Sequence, residues 1–304
     1  MFIYICDNFI NTHMHKAGFV TILGNPNVGK STLMNELMGE RISIITQKAQ
    51  TTRHKILGVI SEDNYQIIFS DTPGVIKPHH NLHEAMMKFV DSSLEGADVV
   101  LYMVDCSKED LKDVKFLEKI DASKIPMILL VNKIDLVNQD DANTLIDYWE
   151  NKLPNAIVIP LSALKKFNID SLNKEIIEIL PESPPYFPKD TLTDKSERFI
   201  VSEIVREKIL ERYKQEIPYS VEVVVNSFKD KGKVIVIDAT IYVERESQKG
   251  IMLGKKGVAI NSVGTAARKT MQNFFKKKIF LGLFVKVAKD WRSRKSQLKK
   301  FGYN

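Results

Sequence analysis

The sequence predicts an α/β domain with a doubly wound, mostly parallel sheet, followed by a smaller α+β domain. Three observations carry that prediction. Apolar runs that read as buried strands alternate with helical patterns through residue 180. Pro181–Pro188 then places four prolines in eight residues, a semi-rigid linker. Beyond it the order becomes helix–strand–strand–helix–helix–strand. The 304 residues are comfortable for two cores. We divide them as an N-terminal extension (1–15), the α/β domain (16–180), the linker (181–195) and the α+β domain (196–304).

The first strand, Phe19–Leu23, runs into Gly24-Asn25-Pro26-Asn27-Val28-Gly29-Lys30-Ser31, which fits G-x-x-x-x-G-K-[ST]. Thr32 continues a helix through Met38, and Gly39 is placed to cap it. Glycines let backbone N–H groups close around phosphate oxygens, and the helix N-terminus adds its positive dipole end. Lys30 is expected to reach the β- and γ-phosphates and Ser31 to hold Mg²⁺.

Arg41–Arg53 is polar, lacks a period and reads as a mobile loop. It carries Thr51 and Thr52, and a loop threonine can complete the Mg²⁺ shell when a γ-phosphate is present. Lys55–Ile60 and Tyr65–Ser70 read as strands joined by Glu62-Asp63-Asn64. The second ends at Asp71-Thr72-Pro73-Gly74, a D-x-x-G in which Asp71 would bind Mg²⁺ through water and the Gly74 N–H would sense the γ-phosphate. Val75 stands where many GTPases place a water-orienting glutamine, and valine cannot hydrogen-bond. Unassisted turnover should therefore be slow. Asn27 has two readings: it suits a turn, or it resembles the asparagine of GTPases that hold K⁺ between loop and phosphates.

A helix over Asn81–Leu94, a strand over Val99–Asp105 and a charged helix near Glu109–Ile120 follow. The next strand, Pro126–Val131, ends in Asn132-Lys133-Ile134-Asp135. The Asp135 carboxylate can accept from both N1–H and the N2 amine of guanine, and such a buried pair rejects the wrong base by on the order of 10⁴–10⁵-fold. Lys133 would lay its stem along the ring, and Asn132 would tie this loop to the phosphate loop. After a strand at Ala156–Ile159, Ser162-Ala163-Leu164 places a backbone N–H near Ala163 for guanine O6. Five motifs behind strands, in order, point to GTP. Lys30, Thr52 and Gly74 are the candidate catalytic residues.

Cys6 and Cys106 are the two cysteines, far apart and without metal spacing. His79, His80 and His83 follow Pro78 and read as a polar mobile loop. No run of eighteen apolar residues occurs. The extension is expected to be disordered or a mis-assigned start ahead of Met14.

Net charge is +6, but it is segregated: residues 1–180 hold 18 Lys and Arg against 24 Asp and Glu, and residues 181–304 hold 26 against 14. A basic half joined to an acidic one suggests a polyanion partner. Its first helix, capped by Ser196, carries Phe199, Ile200, Ile204, Val205, Ile209 and Leu210 on one face. Two strands over Val221–Val225 and Lys233–Val243 precede Gly254-Lys255-Lys256-Gly257. That G-x-x-G, followed by a helix over Ser262–Phe275 and a strand over Ile279–Val287, matches the loop of a type II KH domain that clamps a nucleic-acid backbone. Lys276-Lys277-Lys278 and the tail Trp291–Lys300 either extend the positive surface or are a solvated face, and a polybasic tail also attracts anionic lipid.

Together, G-N-P-N-V-G-K-S, A-Q-T-T-R-H, D-T-P-G, N-K-I-D, S-A-L and V-E-R-E-S-Q-K-G-I-M-L-G-K-K-G resemble the Era family, bacterial GTPases with a C-terminal KH domain, from about Lys16 to Tyr303. The resemblance implies a small-subunit assembly factor using GTP, GDP and Mg²⁺. Its KH domain would bind single-stranded RNA near the 3′ end of 16S rRNA in the 30S subunit, with affinity set by the nucleotide. It further implies Thr52 as the Mg²⁺ threonine, a cytoplasmic monomer and loose inner-membrane association. Two alternatives stay open. One is a relative acting on the large subunit or tRNA, expected to need a further domain. The other is a membrane-tethered regulatory GTPase.

Overall fold

A computed structural model describes residues 15–107 and 114–303. Residues 1–14 and the first turn of the helix expected near Glu109 lie outside the described residues. The first half comprises β1 (Lys16–Gly24), α1 (Lys30–Met38), β2 (Ile56–Ser61), β3 (Tyr65–Asp71), α2 (Asn81–Glu95), β4 (Val99–Asp105), α3 (Val114–Ala122), β5 (Met127–Asn132), α4 (Gln139–Lys152), β6 (Ile157–Leu161) and α5 (Ile169–Ile179). The sheet order is β2-β3-β1-β4-β5-β6, with only β2 antiparallel to its neighbour. Side chains alternate along each strand, so one strand feeds two cores. Ile22, Ile128 and Leu130 join Leu33 and Ile176 on one face. Leu23, Leu129 and Val131 join Val90 and Trp149 on the other. All six residues of β5 are buried, as helices on both faces require.

The topology puts every motif on one edge. The phosphate loop follows β1, D-x-x-G begins at the end of β3, N-K-x-D begins at the end of β5, and Ser162 follows β6. These are carboxyl ends of parallel strands, where an open α/β sheet binds ligands.

The second half contains α6 (Glu197–Arg212), α7 (Ile217–Ser220), β7 (Glu222–Asp230), β8 (Val234–Val243), α8 (Glu246–Leu253), α9 (Val258–Phe275), β9 (Lys278–Val287) and α10 (Lys295–Lys300). Ser196 caps α6 by accepting the Phe199 N–H at 3.3 Å. β7 and β8 are antiparallel, β8 and β9 parallel, and Val201, Val205, Ile237, Ile241, Val263 and Met271 form their shared core. The order is that of a type II KH fold. α9 starts at Val258, directly on the G-x-x-G turn and earlier than the sequence pattern suggests, because apolar Ile260 already faces the core.

The proline-rich segment is fastened to the first sheet. Ala17 N–H donates to the Pro181 carbonyl at 3.1 Å and Val59 N–H to the Leu192 carbonyl at 2.9 Å. Gln66 Oε1 accepts from the N–H groups of Tyr186 and Phe187 at 2.7 and 2.9 Å.

Two expectations are corrected and a third is extended. His80 is the N-cap of α2, its ring accepting the His83 N–H, and His83 is buried inside that helix, so the histidines form a helix start and not a mobile loop. Residues 41–53 hold no helix or strand, yet Ile42, Ser43, Ile44, Thr52 and Arg53 are buried. Finally, the basic tail is amphipathic. Trp291, Leu298, Phe301 and Tyr303 are buried against Leu82, Ala85 and Met86 of α2, while Arg294, Lys295, Lys299 and Lys300 stay exposed. Charge dominates its composition, but its apolar residues decide its position.

Candidate nucleotide and nucleic-acid sites

A cavity of about 640 Å³ opens along the carboxyl edge of the first sheet. Asn27, Gly29, Lys30, Ser31, Thr32, Thr52, Gly74, Asn132, Lys133, Asp135, Ala163 and Leu164, all sequence candidates, line it. Gly24, Asn25, Val28, Asp71 and Ser162 are not among the lining residues. The Val28 side chain belongs to the core, and its carbonyl supports the site by accepting from Asn132 Nδ2 at 2.7 Å. Gly29 has φ 113, and a Cβ there would lie 2.3 Å from Asn132 Nδ2, so only glycine lets the two loops meet.

Lys30 opens α1, is buried, and donates to the Gly24 and Asn25 carbonyls at 3.0 and 2.8 Å. Burial lowers its pKa to about 8, and the Asp71 charge opposes that shift. An ammonium held in a dry loop of this kind favours polyanionic company.

Asp71, Ser31 and Thr52 bring their oxygens together. Ser31 Oγ donates to Asp71 Oδ2 at 2.8 Å and lies 2.8 Å from Thr52 Oγ1, which is 3.3 Å from the same carboxylate oxygen. The adjacent Thr51 instead pairs with Thr46 at 2.7 Å, so geometry separates the two threonines. Burial raises the Asp71 pKa, and Asp71 Oδ1 is buried without a hydrogen-bond partner among the described residues. One carboxylate with two hydroxyls is a hard-oxygen set that fits Mg²⁺. Val75 is buried and packs into the core, as expected of a residue that orients no water.

At the other end, Asn132 accepts from the Ala163 N–H at 3.0 Å while it donates to Val28, welding three loops together. The expectation for Ala163 is thereby modified: its N–H reaches a base oxygen only by sharing or exchanging the bond to Asn132. Asp135 Oδ1 accepts from Ser162 Oγ at 2.5 Å, which orients the carboxylate. Lys133, at φ 66, donates to the Asn27 carbonyl at 2.9 Å and to Asp105 Oδ2 at 2.7 Å. Asp105 belongs to none of the sequence motifs, and its place at the end of β4 is the one signal the sequence carries for it. Asn27 itself has φ 66 and donates to the Gln47 carbonyl at 3.0 Å.

In the second half, Gly254 ends α8 with φ 69, and a Cβ there would lie 2.7 Å from the Ala259 Cβ. The chain turns through exposed Lys255 and Lys256 into α9. Ile251 and Val258, on either side of the loop, are 54% and 65% exposed. Basic residues on a glycine turn flanked by bare apolar groups suit a sugar–phosphate backbone with unstacked bases.

Two family models match the chain: a 50S ribosome-binding GTPase over residues 19–133 and a KH domain over residues 216–292. The chain is 46% identical over 292 residues to GTPase Era of Alkaliphilus metalliredigens, covering 95% of this chain and 99% of that one. The chain belongs to the Era family of GTPases. The fold agrees. A crystal structure of Era in complex with MgGDPNP and nucleotides 1506–1542 of 16S ribosomal RNA superposes with TM-score 0.92 at 40% identity, covering 95% of this chain and 99% of that one. Aquifex aeolicus Era bound to GDP and AlF₄⁻ gives TM-score 0.91 at 40% identity, with the same coverage. The GTPase model named for the 50S subunit stops before the KH half, whereas the Era relatives match along both. No helix among the described residues is long and apolar enough to cross a membrane.

Proposed function

We propose that this Era-family GTPase is a GTP-dependent switch whose KH half binds single-stranded RNA near the 3′ end of 16S rRNA and assists 30S assembly in the cytoplasm. The convergence of Ser31, Thr52 and Asp71 at one end of the cavity, with Asp135 held by Ser162 at the other, carries this reading. The phosphate loop and Lys30 bind and neutralise the triphosphate, and Asp135 selects guanine. Ser31, Thr52 and Asp71 would hold Mg²⁺, which when bound neutralises charge building on the phosphates. Gly74 lies against Pro26 of the phosphate loop, and its N–H would register the γ-phosphate. On the RNA side, Gly254 and Gly257 admit the backbone while Lys255 and Lys256 neutralise it. A relative solved with both MgGDPNP and 16S rRNA supports the pairing of these two sites.

The lipid alternative is weakened by the tail, whose apolar side chains pack on α2 and leave no apolar anchor there, only its cations, for a membrane surface. Peripheral inner-membrane contact would then rest on Arg294, Lys295, Lys299 and Lys300, and anionic vesicles would retain the protein only at low salt.

Filter binding of a 16S 3′-end oligonucleotide, with a non-hydrolysable GTP analogue or GDP loaded, tests the proposal. Binding is expected to depend on the nucleotide and to collapse in the double variant Lys255→Asp, Lys256→Asp, with GTP affinity intact. Equal RNA binding by that variant would remove the ribosomal reading.

A further inference from the structure

The segment between α1 and β2 that carries Thr52 forms no helix or strand; Asn35 holds its start at Ile42 and Ser43, and the KH half holds it at Arg41, Lys48, Thr51 and Arg53. Arg41 pairs with Glu207 of α6. Lys48 Nζ donates to the carbonyls of Leu210 and Tyr213, at the end of the same helix. Arg206 donates to the Thr51 carbonyl. On the far side of Thr52, the buried Arg53 donates to the Val221 carbonyl at 2.7 Å, the Tyr219 carbonyl at 3.1 Å and Glu222 at 3.3 Å. Thr52 is thus suspended between two neighbours gripped by the other domain.

Arg206 stands out within this set. It is 1% exposed, and its partner Glu203, one turn earlier on α6, takes both its Nε at 2.7 Å and its Nη2. A guanidinium forked onto a carboxylate has little freedom left, so the N–H it offers to Thr51 marks a fixed point. That point lies one residue from the hydroxyl that must meet Ser31 and Asp71.

We infer that Arg206, supplied by the KH half, is a positioning residue for the Mg²⁺ and γ-phosphate shell at Thr52. The inference rests on the reading of Ser31, Thr52 and Asp71 as that shell. It has a signature that simple structural support lacks. A residue acting through Thr52 matters when a γ-phosphate is bound and is indifferent to GDP.

The test measures affinities of the full chain for a non-hydrolysable GTP analogue and for GDP across a Mg²⁺ titration, in the parent, Thr52→Ala and Arg206→Met. The double variant Glu203→Gln, Arg206→Met, which leaves no buried carboxylate unpaired, is read in the same way and guards against a folding defect. Arg206→Met is expected to weaken the analogue by about tenfold and to raise its Mg²⁺ requirement, with GDP unchanged, following Thr52→Ala in direction. If Thr52→Ala discriminates between the nucleotides and neither Arg206 variant does, the assignment of Arg206 fails while the shell stands. Equal loss of both nucleotides assigns Arg206 to the fold alone and overturns the proposal. A Thr52→Ala protein that binds both like the parent removes the shell, and the proposal with it.

Discussion

The imidazole of His54 stacks on the phenol ring of Tyr303, centroids 4.3 Å apart and planes 22° from parallel. One residue follows the nucleotide-facing loop and the other lies in the tail. Between them they close a buried cluster with Arg53 and Glu222, in which the Tyr303 hydroxyl donates to Glu222 Oε2 at 2.9 Å.

Tyr303→Phe keeps the stack and deletes that donor. Glu222 is buried and would be left with Arg53 at 3.3 Å, so the variant is expected to lose about 1–3 kcal/mol. Chemical denaturation reads this directly. A loss below a few tenths of a kcal/mol would mean that water replaces the hydroxyl.

Acid should weaken the fold over a defined window. Burial pushes the His54 pKa from 6.5 down to about 4, and His83 is held near 4 for the same reason. Between pH 6.5 and 4 the unfolded chain takes up protons that the folded chain refuses, so stability falls as pH drops and is level above 6.5. Each histidine contributes up to about 3 kcal/mol at the bottom of the window. The His80 pKa is lowered by burial as well, so His54→Phe, which retains the ring contact, is expected to remove part of this acid loss and leave the share of His80 and His83, measured by denaturant midpoints at pH 7.5, 6 and 5.

Asp135→Asn exchanges an acceptor for a donor opposite guanine N1 and N2. GTP affinity is expected to fall on the order of 10³-fold or more, with xanthosine triphosphate gaining in its place. Competition between the two nucleotides on the variant decides it, and unchanged preference for GTP would move base selection away from Asp135.

Asn27 joins the phosphate loop to Gln47, placing its amide between the two segments that would enclose a cation near the phosphates. GTP turnover is expected to be faster in K⁺ than in Na⁺, with the difference lost in Asn27→Ala. Equal turnover in the two salts would leave Asn27 with its turn geometry alone.

The nucleotide site was legible because its chemistry is local. Gly24–Ser31 and Asn132–Asp135 each carry their reason for existing within a few residues, and the strand before each one says where it will point. The grip on Thr52 was not legible, because Arg53 and Glu222 are 169 residues apart and Arg206 and Thr51 are 155 apart. Helical spacing placed Ile204 and Ile209 inside, yet it gave no reason to bury Glu203, Arg206 and Glu207 beside them. Those charges are buried because they face another domain's loop, a surface that one helix's pattern does not contain. The tail was legible only in its charge. Its many cations drew attention from Trp291, Leu298 and Phe301, which fix where it lies.

The fastened proline segment, the loop over residues 41–53 gripped by the KH half, and the tail lying on α2 give the two halves three separate attachments. A body hung from one strap swings through a continuum, whereas one hung from several moves only after straps let go. Any large swing of the RNA-gripping half must therefore release both the α6 contacts to residues 41–53 and the Trp291 and Phe301 contacts to α2, which makes reorientation a thresholded event.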